Sequence, residues 1–396
     1  MYRPKGEMVV GILMKKELEL YIHIPFCVRK CAYCDFLSVV GNVEVIECYV
    51  ESLIKEIYDY QSMARQYMVT TAFFGGGTPS ILSGAQMEKI CEALREVFHF
   101  ATDAEITIEA NPGTVTAEKL KVYQNCGINR ISFGLQSTNN EELKLLGRIH
   151  TYEEFLDSYQ MARAAGFDNI NVDLISAIPK QTLESWESTL NRVIALEPEH
   201  ISAYSLIVEE GTPFARLYGE GAPLEGDLPS EEEERAMYYR TEKLLGEAGY
   251  HRYEISNYAK EGKACRHNLG YWERKDYLGI GLGAASLIDN IRYSHVEDLA
   301  VYLEYADDLQ QIEVGKELLS ITEQMEEFFF LGLRKMQGVS LDEFEQIFGV
   351  PAKERYGEAM MRLCQEGLLE NADGVLRLTA KGIDVSNYVF AELLSI

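Results

Sequence analysis

The sequence lacks any apolar run of the roughly 18–20 residues that a transmembrane helix requires. Its longest apolar stretches, such as residues 328–333, are short. The run at residues 8–14 is interrupted by a glycine and followed by two lysines, so we expect no signal peptide. The sequence therefore predicts a cytoplasmic protein without a membrane span.

Basic residues are scarce. The 396 residues include 37 Lys and Arg against 63 Asp and Glu, a formal net charge of −26. Binding to nucleic acid or to anionic lipid through general charge attraction needs a basic surface, so this balance disfavours both. The C-terminal residues 316–396 hold 8 basic against 14 acidic residues, which disfavours DNA phosphate contacts there as well.

Cysteine is also scarce, and it is unevenly placed. Eight cysteines in 396 residues are too few for a disulfide-stabilised fold. Three of them, Cys27, Cys31 and Cys34, lie within eight residues, whereas the other five are scattered singly along the chain. Cysteines clustered in this way in a reducing compartment are more often ligands or nucleophiles than disulfide partners.

The first two hundred residues alternate between strand and helix patterns, which predicts an α/β fold with parallel pairing. We expect strands at 19–24, 69–74, 105–109, 130–135, 169–175 and 200–207, each a nearly continuous apolar run. We expect helices at 43–60, from the Ser83 cap to 98, 116–125, 151–165 and 182–196. Six such strands favour an incomplete (β/α)6 TIM-like barrel over an open sheet.

Chemistry in such barrels lies at the C-terminal ends of the strands. Cys27, the 75–78 glycine loop, Glu109, Gln136 and Asp173 all fall at or near those ends. We therefore expect these residues to meet at one rim of the barrel.

The remaining chain predicts two further regions. Residues 219–230 are rich in Gly and Pro and indicate an exposed connection before a helix at 231–247. Three helices at 322–336, 340–348 and 353–366 precede a hairpin at 368–370 and 375–378, the order of a winged helix. We predict a barrel at 15–225, a bridging region at 226–315 and a smaller, mainly helical, winged-helix-like domain at 316–396.

The spacing Cys27-x3-Cys31-x2-Cys34 supports three interpretations. Three thiolates on a short loop can hold three irons of a [4Fe–4S] cluster and leave the fourth iron open. A structural zinc site usually needs four ligands, and His23, which could supply the fourth, lies within the first predicted strand. Cys31 and Cys34 also form a Cys-x-x-Cys pair, which is typical of redox sites.

The cysteine spacing after the first strand, with Gly75-Gly76-Gly77-Thr78-Pro79 after the second, resembles the radical S-adenosylmethionine (SAM) superfamily. The resemblance implies that Cys27, Cys31 and Cys34 hold a [4Fe–4S] cluster whose open iron binds SAM. Glycines suit that site, because a backbone without side chains can approach the amino acid end of SAM closely.

Further motifs narrow the resemblance. YIHIPFC at 21–27, IEANP at 108–112, FGLQS at 133–137, LGRIH at 146–150 and NVDL at 171–174 resemble the oxygen-independent coproporphyrinogen III oxidase (HemN-type) family. The match runs in order from about residue 19 to the C-terminus. It implies a SAM pocket lined by Tyr21, Gly76, Gly77, Thr78, Glu109, Gln136, Arg148 and Asp173. Taken singly, Glu109 could be a helix cap, Arg148 a surface charge and Tyr21 a core residue.

That family has a dehydrogenase branch and a branch of HemW-like haem chaperones. The dehydrogenases usually have a fourth cysteine where this chain has Phe36, and a longer extension before the position of Tyr21 that helps to hold a second SAM. The segment 267–272, HNLGYW, matches the His-Asn-x-x-Tyr-Trp motif of the chaperone branch. The sequence thus resembles the chaperone branch more closely.

The 267–272 motif predicts haem contacts. Haem iron accepts an imidazole ligand, and aromatic rings pack well on a flat macrocycle, so His267, Tyr271 and Trp272 are the predicted haem residues. Cys265 is an alternative ligand or a structural residue. A core histidine packed among aromatic side chains would explain the same six residues.

We therefore expect a haem chaperone that binds a [4Fe–4S] cluster, SAM and haem and transfers haem to client haemoproteins. The resemblance implies clients among membrane respiratory enzymes. Because the net charge is −26, docking to these clients would need a specific contact. The alternative is a coproporphyrinogen III dehydrogenase of porphyrin metabolism. The acidity disfavours an RNA-modifying radical SAM enzyme. A structural zinc protein remains an alternative. The sequence also leaves open whether the chain forms a homodimer.

Overall fold

The computed structural model describes residues 15–394. A row of six parallel strands forms its centre, each strand pairing with the next in chain order. They are β1 (Lys16–Ile24), β2 (Tyr67–Gly76), β3 (Phe100–Ala110), β4 (Arg130–Gln136), β5 (Ile170–Ser176) and β6 (His200–Ser205). All six predicted strands are present, and the incomplete α/β barrel is confirmed.

Seven helices connect these strands. They are α1 (Val43–Asp59), α2 (Gln61–Ala64), α3 (Gly84–Val97), α4 (Ala117–Asn125), α5 (Asn140–Leu145), α6 (Tyr152–Ala164) and α7 (Leu183–Ile194). Ser83 caps α3 as predicted, because its side chain accepts from the Gln86 N–H while the Gln86 side chain accepts from the Ser83 N–H. Thr151 begins α6 with the same reciprocal bonds to Glu154.

The strands alternate between an apolar and a polar face. Leu18, Leu20 and Ile22 of β1 are fully buried in the main hydrophobic core. Glu19 lies on the opposite face, beside Thr71 of β2, which in turn lies beside Glu105 of β3. The expectation of nearly continuous apolar strands is therefore wrong for the face that lines the barrel interior, which is polar and nonetheless buried.

The barrel does not close on itself, because β6 and β1 each pair with a later strand. The elements that follow β6 are α8 (Pro213–Tyr218), α9 (Glu231–Glu247), β7 (His251–Arg252), β8 (Asn257–Ala259), α10 (Arg266–Trp272), β9 (Tyr277–Ile280), β10 (Ala285–Ile288), β11 (Ile291–His295), α11 (Leu299–Tyr305), α12 (Leu309–Ile312) and β12 (Glu313–Leu318). β8 pairs antiparallel with β6 and β9 pairs parallel with β1, which extends the sheet to twelve strands. The region predicted as a bridge thus adds strands to both edges of the barrel.

The C-terminal residues form a second unit with its own core. Its elements are α13 (Ile321–Gly332), β13 (Val339–Ser340), α14 (Leu341–Phe348), α15 (Ala352–Gln365), β14 (Leu369–Ala372), β15 (Val375–Leu378), α16 (Ala380–Asp384) and α17 (Ser386–Leu394). Phe329, Phe344 and Tyr356 pack at its centre. Three helices followed by a hairpin match the predicted winged-helix-like arrangement. The domain boundaries at 225 and 315 stay predictions.

Within residues 15–394, no helix combines the length and the apolar character needed to cross a membrane. The apolar run at 8–14, and the N-terminal extension to which it belongs, lie outside the described residues.

Candidate functional site

The loop after β1 carries the three clustered cysteines and is fixed by backbone hydrogen bonds. The Cys27 N–H donates to the Val39 carbonyl at 3.0 Å, and the Val39 N–H donates to the Pro25 carbonyl at 2.7 Å. The Ala32 N–H donates to the Leu146 carbonyl at 3.1 Å. These bonds tie the loop to itself and to the end of α5, so the thiols are held by the fold.

One cavity lies at the C-terminal ends of β1 to β5, and we call it the rim pocket. Its lining includes Cys27, Cys31, Cys34, Gly76, Gly77, Thr78, Glu109, Asn111, Ser132, Gln136, Arg148 and Asp173. Every predicted SAM residue except Tyr21 therefore faces the same space as the three cysteines. The Tyr21 hydroxyl instead lies 3.0 Å from His23 Nδ1, outside the pocket lining.

Arg148 connects the cysteine loop to the strand ends. Its Nη1 donates to Cys31 Sγ at 3.5 Å, and its Nη2 donates to the Asn111 side chain at 2.5 Å and to the Gly134 carbonyl at 2.6 Å. The guanidinium thus places a buried positive charge beside Cys31, and Arg148 is not a surface residue.

The glycines at the end of β2 are required by packing. Gly76 has a φ of +111°, and a Cβ added there would lie 2.4 Å from Cε1 of His23. A Cβ on Gly77 would lie 2.8 Å from the Phe26 carbonyl oxygen. Only glycine lets this loop pass so close to the end of β1, whatever ligand the pocket holds.

Two carboxylates face the rim pocket in different environments. Glu109 accepts a 3.2 Å hydrogen bond from the Gly76 N–H, and burial together with the nearby Asp173 raises the pKa of Glu109 to about 8. Asp173 accepts from Ser132 Oγ at 3.0 Å and from Asn171 Nδ2 at 2.8 Å, while burial raises its pKa. Such carboxylates can bind an ammonium group or the hydroxyls of a sugar.

Asn111 and Ser132 were not among the predicted site residues. Asn111 Nδ2 donates to Thr78 Oγ1 at 2.7 Å, and its Oδ1 accepts from Arg148. The position of Asn111 in the 108–112 motif is the sequence signal that could have identified it as a site residue. Ser132 had none, because its contact with Asp173 depends on how β4 and β5 pair.

The donor set of the rim pocket suits an iron–sulfur cluster. In the described part of the chain, no three His, Cys, Asp or Glu side chains group as ligands of one metal ion. A [4Fe–4S] cluster distributes its thiolate ligands over separate irons. Three thiols facing one pocket, with Thr78 Oγ1 3.5 Å from Cys27 Sγ and Arg148 beside Cys31, fit such a group.

His267 lies inside the barrel and is only 1% exposed. Its Nδ1 lies 2.7 Å from Thr71 Oγ1, its Nε2 lies 3.0 Å from the Tyr271 hydroxyl, and its ring stacks on Phe73 with centroids 5.2 Å apart. Burial lowers the pKa of His267 to about 3. Its haem contact stays a prediction, and the conformation opposes direct ligation because both ring nitrogens already have partners.

The start of α10 is held by a buried carboxylate. Glu105 Oε1 accepts from the Arg266 N–H at 2.9 Å and from Cys265 Sγ at 3.5 Å. Cys265 is fully buried, and burial raises the pKa of its thiol to about 12. These contacts favour the structural interpretation of Cys265 over the haem ligand.

A second cavity of about 820 Å³, which we call the lateral cavity, lies between the open side of the barrel and the C-terminal unit. The barrel side contributes β6, α9 and the segment 254–258, and the C-terminal side contributes Arg334 and residues from 383 to 387. Asn268, Tyr271 and Trp272 of the 267–272 motif form part of its wall, whereas His267 does not. Tyr258 of β8 also lines this cavity.

Two family models match this chain. The radical SAM superfamily model matches residues 21–193, and the HemN C-terminal domain model matches residues 319–385. The first match covers β1 to α7, which include the rim pocket residues, and the second covers the C-terminal unit.

Similar proteins cover nearly the whole chain. The heme chaperone HemW of Lactococcus lactis subsp. lactis (strain IL1403) is 38% identical over 382 residues, which are 96% of this chain and 98% of that protein. The heme chaperone HemW of Bacillus subtilis (strain 168) is 36% identical over 94% of this chain and 98% of its own length. The solved structure of the radical SAM enzyme coproporphyrinogen III oxidase (HemN) from Escherichia coli is 25% identical, with a TM-score of 0.84 over 96% of this chain and 90% of that chain.

Proposed function

The chain belongs to the HemW haem chaperone family of the HemN-type radical SAM proteins, and from this premise we propose that it binds haem as cargo and transfers it to client haemoproteins. The observation that carries the proposal is the lateral cavity, whose wall includes Asn268, Tyr271 and Trp272 of the motif associated with the chaperone branch.

Cys27, Cys31 and Cys34 hold a [4Fe–4S] cluster in this proposal. When bound, the cluster supplies one-electron chemistry and an open iron position. The protein keeps the three thiols facing one pocket through the backbone bonds of the loop, and Arg148 balances part of the negative charge of thiolate ligands. The four-ligand zinc alternative gains no support, because His23 is turned to Tyr21 and to the Leu37 carbonyl.

SAM occupies the rest of the rim pocket. The residues that would contact it are Gly76, Gly77, Thr78, Glu109, Gln136, Arg148 and Asp173. Tyr21 would act indirectly, since its hydroxyl bonds His23, the ring against which Gly76 packs. Gln136 has a φ of +74°, a conformation that non-glycine residues adopt rarely and that is common at functional sites.

The direct test is a haem titration of the protein after anaerobic reconstitution of its cluster. We expect saturable binding of one haem per chain, followed by its absorbance. Failure to bind haem would contradict the proposal.

A second candidate is coproporphyrinogen III dehydrogenase activity, which the similarity to the solved HemN structure favours. Phe36 weighs against this activity, because a side chain without a thiol stands where the resemblance to the dehydrogenases places their usual fourth cysteine. Anaerobic incubation with the porphyrinogen, SAM and a reductant distinguishes the two. We expect no decarboxylated product, and its formation would favour the dehydrogenase.

The clients in this proposal are haemoproteins, membrane respiratory enzymes among them. With a net charge of −26, general attraction to anionic lipid cannot bring the chain to such clients. Delivery would therefore use a specific protein contact.

A further inference from the structure

We propose that the lateral cavity is the tetrapyrrole site and that Arg235 and Arg334 make it selective for a macrocycle with two carboxylates. This inference rests on the proposed function and adds two carboxylate contacts that the sequence did not indicate to the predicted Tyr271 and Trp272. It also gives His267 a positioning role in place of direct ligation.

The size and lining of the cavity suit a flat, largely apolar ligand. Its volume of about 820 Å³ falls within the roughly 300–1,000 Å³ of pockets that enclose small molecules. The aromatic side chains in its wall are Tyr204, Tyr238, Tyr258, Tyr271 and Trp272. Aromatic faces of this kind pack well against a conjugated ring system.

Several buried polar atoms of the wall have no hydrogen-bond partner among residues 15–394. They are the Arg334 Nε, the Trp272 Nε1, the Tyr238 hydroxyl and the Asn257 Oδ1. A buried polar atom left unpaired costs free energy, so most such atoms in folded proteins are paired. Their concentration around one cavity indicates a ligand with polar groups at its edge.

Arg334 is oriented by an aromatic ring. Its guanidinium carbon lies 4.7 Å from the centroid of the Trp272 ring and 6.0 Å from that of Phe390. A guanidinium held in this way is pre-organised to donate two parallel hydrogen bonds to a carboxylate. Trp272 therefore contributes a wall to the cavity and also positions the cation.

Three of the four acidic residues in the wall accept hydrogen bonds, whereas neither of its two arginines pairs with a carboxylate of the described residues. Glu254 accepts from the Ser256 N–H at 2.8 Å and from Asn257 Nδ2 at 2.6 Å. The Glu234 carboxylate accepts from Ser205 and that of Asp384 accepts from Tyr239. In the described chain, neither Arg235 nor Arg334 forms an ion pair within 4 Å.

Two available cations match two carboxylates. Haem has two propionates, whereas coproporphyrin III has four carboxylates. The additional two would face a wall that contains the acidic residues Glu231, Glu234, Glu254 and Asp384. The charge arrangement thus favours haem over the porphyrinogen of the dehydrogenase reaction.

His267, a residue of the motif that does not line the cavity, is a positioning residue. It lies behind the cavity wall, and its Nε2 is 3.0 Å from the hydroxyl of Tyr271, one turn further along α10. The hydrogen bond fixes the ring of Tyr271, which stands in the wall. The histidine therefore affects tetrapyrrole binding through Tyr271.

The test uses metal-free porphyrins, because they separate the cavity from any iron ligation. Protoporphyrin IX (two carboxylates) and coproporphyrin III (four) are titrated into the full chain and into Arg334→Gln, Arg334→Lys and Arg235→Gln. Arg192→Gln is the matched control, since Arg192 also stacks on a ring, that of Tyr152, away from the cavity. Thermal melts verify that each variant folds, and the exposed Arg235 is a safe position for substitution.

We expect the wild-type chain to bind protoporphyrin IX at least about tenfold more tightly than coproporphyrin III. Arg334→Gln and Arg235→Gln should each weaken protoporphyrin binding about tenfold, Arg334→Lys should weaken it less, and Arg192→Gln should leave it unchanged. Unchanged binding in both glutamine variants, or a preference for coproporphyrin III, would overturn the inference. A wild-type chain that binds neither haem nor porphyrin would instead overturn the proposed function.

Discussion

At the scale of single residues, the cysteines differ by what surrounds them. Cys31 lies next to Arg148 in the rim pocket, whereas Cys48 is exposed on α1. Cys31→Ala should abolish the visible absorbance of the reconstituted cluster, because one of three ligands is lost. Cys48→Ala should retain it. Iron–sulfur absorbance that survives in Cys31→Ala would contradict the ligand assignment.

His267→Ala tests whether this histidine supports the fold. The substitution removes a stacked, buried ring together with its contacts to Thr71 and Tyr271. We expect the free energy of unfolding to fall by about 2–4 kcal/mol in urea titrations. The exposed His251→Ala is the control and should stay near wild type. Wild-type stability with complete loss of haem binding would show direct ligation instead.

Glu109 provides a pH test. Its pKa is about 8 in the folded chain against 4.5 when unfolded, so the folded state binds more protons between these values. Stability from this group is full below pH 4.5 and is lost as the pH rises to about 8. Glu109→Gln should therefore reduce the loss of unfolding free energy between about pH 5 and 8 in the ligand-free protein. An unchanged pH slope would contradict the raised pKa.

The same substitution should weaken SAM binding, because a carboxylate in the pocket is replaced by a neutral amide. Calorimetric titration of SAM into the cluster-loaded protein measures this effect. If the stability of the variant depends less on pH but the variant binds SAM as tightly as wild type, Glu109 does not contribute to SAM binding.

Most residues of the rim pocket could be predicted because they stand in short motifs, whereas Ser132 could not. His267 could not be placed in the same way. Its burial depends on α10 meeting Thr71 and Phe73 of β2, nearly two hundred residues earlier in the chain. Arg235 and Arg334 gave no local signal at all, since their cavity forms only when α9 and the C-terminal unit come together.

At the scale of elements, the turn after β2 depends on one glycine. Gly76→Ala would place a methyl group against His23 at a φ of +111°. We expect it to destabilise the chain by more than about 1 kcal/mol and to weaken SAM binding. Gly246→Ala on α9 is the control, because nothing lies within 4 Å of its added Cβ, and it should be neutral or stabilising. Equal stability of both variants would contradict the packing argument.

Most elements of the barrel followed from local pattern. The observed α9 (Glu231–Glu247) coincides with its prediction, since four acidic residues and the Ser230 cap define its start. The pairing of β9 with β1 could not be predicted from the sequence, because parallel strands so far apart along the chain share no local signal. The polar interior also escaped prediction, because buried polar residues such as Thr71 and Thr107 resemble surface positions in sequence.

At the scale of the whole molecule, the two cavities lie at neighbouring positions. Asp173 near the end of β5 lines the rim pocket, and Ser176 at the last position of the same strand lines the lateral cavity. Cluster, SAM and haem would thus bind along one strand of the barrel. β8 and β9 extend the two edges of the barrel sheet. In the proposed function, the chain keeps the radical SAM fold and would hold the tetrapyrrole as cargo.

The fate of the bound tetrapyrrole tests this account most directly. The cluster-loaded chain is saturated with haem under anaerobic conditions, given SAM and a reductant, and mixed with a haem-free acceptor haemoprotein. The acceptor is then recovered, and its tetrapyrrole is identified by mass spectrometry. The account predicts about one unmodified haem transferred per chain. Failure of the chain to load or release haem, or recovery of a decarboxylated tetrapyrrole, would contradict it.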